Sequence, residues 1–309
     1  MKVLCATIVL LGLTVPVAAL DSIFEIAQEN DFDTLVTALE IANLDNFLDC
    51  NDSSCPIYTA FAPTNQAFAA LPKALLTQLT TDKEYREHLK QLLRYHLIYG
   101  RVYSNTITNG ERFRTRQGGR VTATKSGEII TINGNARVVL ADVKASNGLV
   151  HAIDKVLVPS FLKHDLVQVA VANSNFKTLV AAVSAVNGLV DVLKGGPFTI
   201  FAPTDTAFAK LGKATLNTLL ADPNGQLASI LKYHVVPGIV TKNELKDGHI
   251  KTVQGATISV DVCSSSTKIN GLSTVTDTNI LGSNGVIHVI VSVVFSCAYL
   301  GFPSSKAVR

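Results

Sequence analysis

Tryptophan is absent from this 309-residue sequence, and its single methionine is the first residue. A lectin that stacks neutral sugars on large aromatic rings would have to rely on Tyr or Phe, so that function loses ground. Charge is also scarce. Charged residues make up 17% of the chain and the net charge is +3, of which Lys2 supplies one. That is far too mild a basic balance for a nucleic-acid binder. Enzyme signatures are missing: there is no G-x-S-x-G, H-E-x-x-H, P-loop or G-x-G-x-x-G. Ser160-Phe161-Leu162-Lys163 satisfies S-x-x-K, but the motifs that accompany it in lactamases do not occur. No stretch reaches the roughly 18 uninterrupted apolar residues that a transmembrane helix needs. The apolar run Val286 to Val294 is strand-like and is broken by His288 and Ser292, and the tail from Pro303 to Arg309 lacks the hydrophobic end of a lipid-anchor signal.

Hydrophobic residues form 47% of the chain, ample material for packed cores. Lys2, the apolar run Val3 to Leu13 and the small residues Val17-Ala18-Ala19 form a signal peptide expected to span 1–19, so the mature chain is expected to be secreted. Of five cysteines, Cys5 leaves with the leader. Cys50, Cys55, Cys263 and Cys297 allow three connectivities in an oxidising compartment. Cys50–Cys55 is the natural local pair, which leaves Cys263–Cys297. A zinc site is not supported, because no paired C-x-x-C occurs. Asn51-Asp52-Ser53 is a glycosylation sequon inside the first cysteine loop, with Asn51 as the acceptor.

Internal repetition organises the rest. Thr59 to Leu71 and Thr199 to Leu211 agree at nine of 13 positions, at an offset of 140 residues. Arg94-Tyr95-His96 matches Lys232-Tyr233-His234, and Asn147-Gly148-Leu149-Val150-His151 matches Asn284-Gly285-Val286-Ile287-His288. Asp21 and Phe32 match Asp165 and Phe176. These landmarks define two domains, 20–160 and 161–300, followed by a tail at 301–309. The offset shrinks by four across the segment holding Cys50 and Cys55, so the disulfide loop is an elaboration of the first copy. The junction Val158 to His164 is short and partly apolar, which predicts domains in contact.

Within one copy, Ser22 and Glu25 have capping-box spacing, and Phe32, Leu35, Val36 and Leu39 recur at helical period. Tyr58 to Pro63 reads as a strand ended by proline, and Thr64 is placed to cap the next helix. A further helix is expected from about Lys83 to Leu97. Short β-type runs follow at Val121–Thr124, Ile129–Ile132 and Val138–Leu140, then a buried strand from Leu149 to Val158. Helices first and strands later predict an α+β domain.

The motif Thr-x-Phe-Ala-Pro-Thr-x-x-Ala-Phe at 59–68 and 199–208, the Tyr-His pairs at 95–96 and 233–234, and Asn-Gly-x-x-His-x-Ile-Asp at 147–154 resemble the markers of the fasciclin-like (FAS1) family. The resemblance covers nearly all of the mature chain. It implies two tandem domains, each a β-sandwich wedge flanked by helices, with adhesion or matrix roles and no general catalytic site or cofactor. The second copy departs from the closing marker, with Val291 where the first has Asp154. The resemblance also implies candidate adhesion surfaces, attributed in animal relatives to integrin contacts. These map to Tyr95, His96, Asp142 and Val143, with Tyr233 and His234 in the second copy, where Asn279-Ile280 replaces the Asp-containing pair.

His96 with His151, and His234 with His288, invite a metal, but a third ligand is not evident and zinc needs three or four. Hydrogen-bonded core histidines are the plainer expectation. Arg112, Arg114, Arg116 and Arg120 form a basic cluster whose first three members alternate, as on one face of a strand. Guanidinium forks match sulfate and carboxylate groups, so this face is a candidate for anionic polysaccharide. The expected function is secreted cell adhesion or matrix attachment through a matrix or cell-surface protein or an anionic polysaccharide, with no nucleic acid and no membrane span. The alternative is a secreted small-ligand or metal-binding protein that uses a pocket between helices and sheet.

Overall fold

The computed structural model of the protein describes residues 20–30, 32–50, 55–263 and 266–296. The predicted leader, Asn51, Cys297 and the tail lie outside the described residues. In the first copy the helices are α1 (Ile23–Glu29), α2 (Asp33–Ile41), α3 (Asp45–Leu48), α4 (Asn65–Ala69), α5 (Lys73–Thr81) and α6 (Arg86–Tyr95). Its strands are β1 (Tyr58–Pro63), β2 (Leu97–Tyr99), β3 (Glu111–Arg114), β4 (Arg120–Ser126), β5 (Ile129–Ile132), β6 (Ala136–Ala145) and β7 (Gly148–Ile153). The second copy repeats the series. It has α7 (Leu166–Ala172), α8 (Lys177–Ala185), α9 (Leu189–Gly195), β8 (Phe198–Pro203), α10 (Asp205–Ala209), α11 (Lys213–Ala221), α12 (Ala228–Tyr233) and β9 (Val235–Pro237). The strands β10 (Gly248–Lys251), β11 (Thr257–Cys263), β12 (Ser266–Ile269), β13 (Ser273–Gly282) and β14 (Gly285–Ile290) complete it.

Each copy builds one seven-stranded mixed sheet with the same order, β2-β1-β7-β6-β5-β4-β3 and β9-β8-β14-β13-β12-β11-β10. The central pairs β1–β7 and β8–β14 are parallel, and the remaining neighbours are antiparallel. A bridge between Ile98 and Thr115 brings the two ends of the first sheet together, so the sheet curls into a wedge. Two apolar layers result. Helices α1, α2 and α6 cover one side of β1 and β7, and Phe61, Val121, Ile132 and Ile153 fill the inside of the curl. Phe61 and its counterpart Phe201 are fully buried there, each contributing about 2–3 kcal/mol of transfer free energy.

Local sequence accounts for the element ends. Ser22 and Glu25 form the expected reciprocal cap of α1, and Asp165 and Gln168 form the same box on α7. Thr64 and Thr204 accept from the N–H of Ala67 and Ala207 and start α4 and α10 directly after the strand-ending prolines. The buried terminal strand is shorter than expected, ending at Ile153 rather than Val158.

The copies touch. Ile239, Leu281 and Val286 of the second copy join the helix-side core of the first. His88 on α6 is fully buried; its Nε2–H donates to the Gly282 carbonyl at 2.9 Å, with the rings of Tyr85 and Phe161 against it. Ile239 N–H donates to Glu84 Oε2 at 3.3 Å. No single helix among the described residues is long and apolar enough to cross a membrane.

Candidate functional site

The shared marker residues turn inward. Tyr95 is buried, and its hydroxyl donates to the Arg120 carbonyl and accepts from Asn133 Nδ2. His96 donates from Nδ1 to the Leu92 carbonyl and accepts at Nε2 from the Leu157 N–H, both at 2.9 Å. Tyr233 and His234 repeat these bonds with Thr257, Ile230 and Val294. Both histidines are fixed as the neutral Nδ1–H tautomer, and burial lowers each pKa to about 4. The four residues expected as adhesion surface are therefore interior pins. They sit at the end of the helix that enters the sheet, where their polar atoms must be satisfied locally. The other pair behaves alike. His151 accepts from Asp142 N–H at Nδ1 and donates from Nε2 to Val102, and His288 does the same with Asn279 and Val240. With both ring nitrogens occupied in each of the four, none has a lone pair free for a metal.

Asp142 and Val143 lie where β6 slips register against β7. Asp142 has φ +60° and is half-buried, and its carboxylate accepts from Ser104 N–H at 2.8 Å and from the Ser104 hydroxyl. Burial opposes its charge, but these two bonds hold the carboxyl below its usual range. Val143 packs against the helix-side core. Asn279, also at φ +60°, accepts from Lys242 N–H at 2.8 Å. The acid is thus a loop anchor that an amide replaces. Asp154 accepts from Arg137 N–H at 2.7 Å. In the second copy, where the Val291 side chain has no acceptor to offer, the same stretch is tied one residue along, the Ser273 hydroxyl exchanging two bonds with the backbone of Ser292.

Cys50 and Cys55 are bonded, with Cα atoms 5.7 Å apart. Cys263 is a free, exposed thiol among the described residues, and Cys297, its expected partner, lies outside them. Cys263 stands at the tip of the β11–β12 hairpin. The chain leading to Cys297 is held at the other end of β12, where Asn270 Nδ2 reaches the Phe295 carbonyl at 3.4 Å.

The basic cluster divides. Arg112 and Arg114 are exposed on β3, opposite Thr122 and Arg120 of β4, so all three arginines share the outer face of the sheet. Thr124, Thr131 and Arg137 continue that face across β5 and β6. Phe113, Val121, Ala123 and Ile132 alternate inward. Arg116 is not part of it. β3 ends at Arg114, and Arg116 turns back to lie 4.9 Å above the Phe47 ring with Nη1 donating to Tyr99. Arg137, a fourth exposed arginine, was not among the sequence candidates. Its membership depends on the β5–β6 register, and only the alternation of Ala136, Arg137 and Val138 hints at it. Among the described residues, no carboxylate pairs with any of the four guanidinium groups. The equivalent face of the second copy carries His249, Lys251, Thr257, Asp261 and Lys268, with mixed charge.

The sequence is similar to those of known proteins. Transforming growth factor-beta-induced protein ig-h3 of Sus scrofa is 34% identical over 236 residues, covering 75% of this chain and 34% of that protein. Periostin of Homo sapiens is 32% identical over 238 residues, covering 77% of this chain and 27% of its own length. The chain thus spans about a third of the length of these curated relatives. A solved FAS1 domain pair from the insect cell adhesion molecule Fasciclin I aligns with TM-score 0.45 and 21% identity, over 88% of this chain and 95% of that one. The Fasciclin domain model matches residues 30–159 and 174–295, and the chain belongs to that family, with two copies of the domain in tandem.

Proposed function

We propose that this protein is a secreted adhesion module that attaches to anionic matrix partners through the outer sheet face of its first domain. The observation that carries this reading is the unpaired arginine face. Arg112, Arg114, Arg120 and Arg137 are exposed on β3, β4 and β6 of one sheet face, and no guanidinium among them forms an ion pair with a described carboxylate. Alternation locks the strand faces, so the guanidinium groups are presented from a rigid frame. Each fork suits a sulfate or carboxylate, and several together act as a multivalent contact. An acidic polysaccharide, or an acidic patch of a matrix or cell-surface protein, supplies the matching charge. Membership in the Fasciclin family supports the adhesive role.

The test is salt elution of the purified chain from heparin. Arg112→Gln, Arg114→Gln and Arg120→Gln combined should shift elution to clearly lower salt, because each lost phosphate- or sulfate-type contact removes counterion release. Lys251→Gln in the second copy should leave elution nearly unchanged. Equal retention of the triple variant and the parent would remove the arginine face from the function.

A further inference from the structure

Each copy encloses a small apolar cavity between its first helices and the parallel strand pair. The cavities measure about 30 Å³ in the first copy and 40 Å³ in the second. They are lined from equivalent positions, among them Ile23 and Leu166, Ala27 and Ala170, and His96 and His234. A water would fit by volume but needs two to four polar partners. His234 spends both ring nitrogens on backbone groups, and the other polar lining residue, Ser184, is exposed at the rim. The space therefore suits hydrocarbon, which would restore the dispersion contacts that an empty void forgoes.

The copies differ along their first helix. In α1 the second residue is Phe24, 7% exposed, and Ile23, Ile26 and Ala27 are buried beside it. The matching capping boxes place Val167 at the equivalent position of α7. On α7 only Leu166 is buried, and Val171 is 62% exposed. A surface groove of about 500 Å³ runs along α7 and α8 and shares Ala170 and Val180 with the cavity. Val171, Ala172 and Ala181 supply apolar wall, and Asn173 and Ser174 its polar part. Lys177 is the one charged residue lining it, exposed and without an ion pair among the described residues.

We propose that the second domain binds a single-chain aliphatic carboxylate, its tail entering between Ala170 and Val180 and its carboxylate meeting Lys177. The groove takes most of the chain, and the cavity takes the terminal methylenes. The lysine supplies the charge complement that selects a carboxylate over an alcohol. This site is separate from the arginine face, in the other copy and with a single cation beside apolar wall.

The experiment is calorimetric titration of the full chain with laurate, and with dodecanol as the uncharged probe. One laurate per chain is expected, with a thermal midpoint that rises with laurate concentration. Val167 lines the second cavity, and Val167→Phe places a larger side chain there that fills part of it; laurate affinity should fall at least tenfold. Lys177→Gln, on the surface, should weaken laurate by up to about fivefold and leave dodecanol unchanged. If Val167→Phe does not fold, the Lys177→Gln contrast between the two probes decides alone. Absence of saturable laurate binding, or a Lys177→Gln variant with unaltered laurate affinity, would overturn the proposal.

Discussion

Asn147 in the first copy and Asn284 in the second each accept a hydrogen bond from the leading N–H of a helix, Ile23 or Leu166. Each also donates to a helix-end carbonyl, Leu48 or Leu193. Thr59 and Thr199 tie the loop after β2 and β9 in the same way, donating to Gly100 or Gly238 and accepting from Val102 or Val240. Where the copies share a residue, they share its bonds. Several of the residues in which they differ lie at a surface. Arg101 and Lys144 are exposed in the first copy, and Arg101 donates to the Ser146 carbonyl. The equivalent Ile239 and Leu281 are buried against the first copy's helices. One end of the shared fold thus faces water in one copy and forms the domain contact in the other. The shared residues specify the fold, and the exchanged ones specify what the fold touches.

The severest way to break this equivalence is at the glycine of the closing marker. A Cβ on Gly148 would fall on the Tyr58 carbonyl, and one on Gly285 would fall on that of Phe198, both backbone atoms of the parallel partner strand. Gly148→Ala and Gly285→Ala should each cost more than about 4 kcal/mol, the range reserved for a disrupted core. Chemical denaturation followed by domain-specific proteolysis would show whether each variant unfolds its own copy. Tolerance in one copy alone would mean that the two parallel pairs are not equivalent.

Much of this frame is legible in the sequence because its signals are local. Pro63 ends a strand, Thr64 caps the next turn and Ser22–Glu25 closes α1, and each acts within three or four residues. The Tyr-His pairs depend on partners far along the chain. The family resemblance made the pair a candidate surface while the residues themselves read as core histidines beside a tyrosine, and the β7 exit segment and β4 supply the partners that bury it. The Arg112, Arg114, Arg116 alternation holds only as far as the strand does, and Thr115 leaves it to bridge Ile98. Arg137 and His88 carry no local signal at all. One joins the outer face through strand register, and the other meets a carbonyl 194 residues away.

The histidine pins give a symmetric effect of intermediate size. His96 and His234 have folded pKa values depressed to about 4 by burial, against an ordinary value of 6.5. The folded state keeps them neutral, so their contribution is complete above pH 6.5 and is lost as pH falls towards 4. Over that window each should withdraw about 3 kcal/mol from its own domain. Melts of the parent between pH 7 and 4 should show both domains weakening. His96→Gln should reduce the pH dependence of one transition and leave the other unchanged, with His151 and His88, also shifted down by burial, supplying the remainder. A parent whose stability does not change across this window would mean that the imidazoles are not held neutral.

The smallest expected effect is the most discriminating for the Asp142 position. If its carboxylate serves as a backbone acceptor, Asp142→Asn installs the solution already used at Asn279, where an amide oxygen receives the Lys242 N–H. Asparagine also tolerates the left-handed backbone that both residues adopt at φ +60°. The cost should stay below about 1 kcal/mol, whereas Asp142→Ala, which strands the Ser104 N–H, should cost about 1–3 kcal/mol. Denaturant midpoints at pH 7 separate the two. A comparable loss in both variants would show that the negative charge itself is needed, and the first copy would then use its acid for something the second copy does not do.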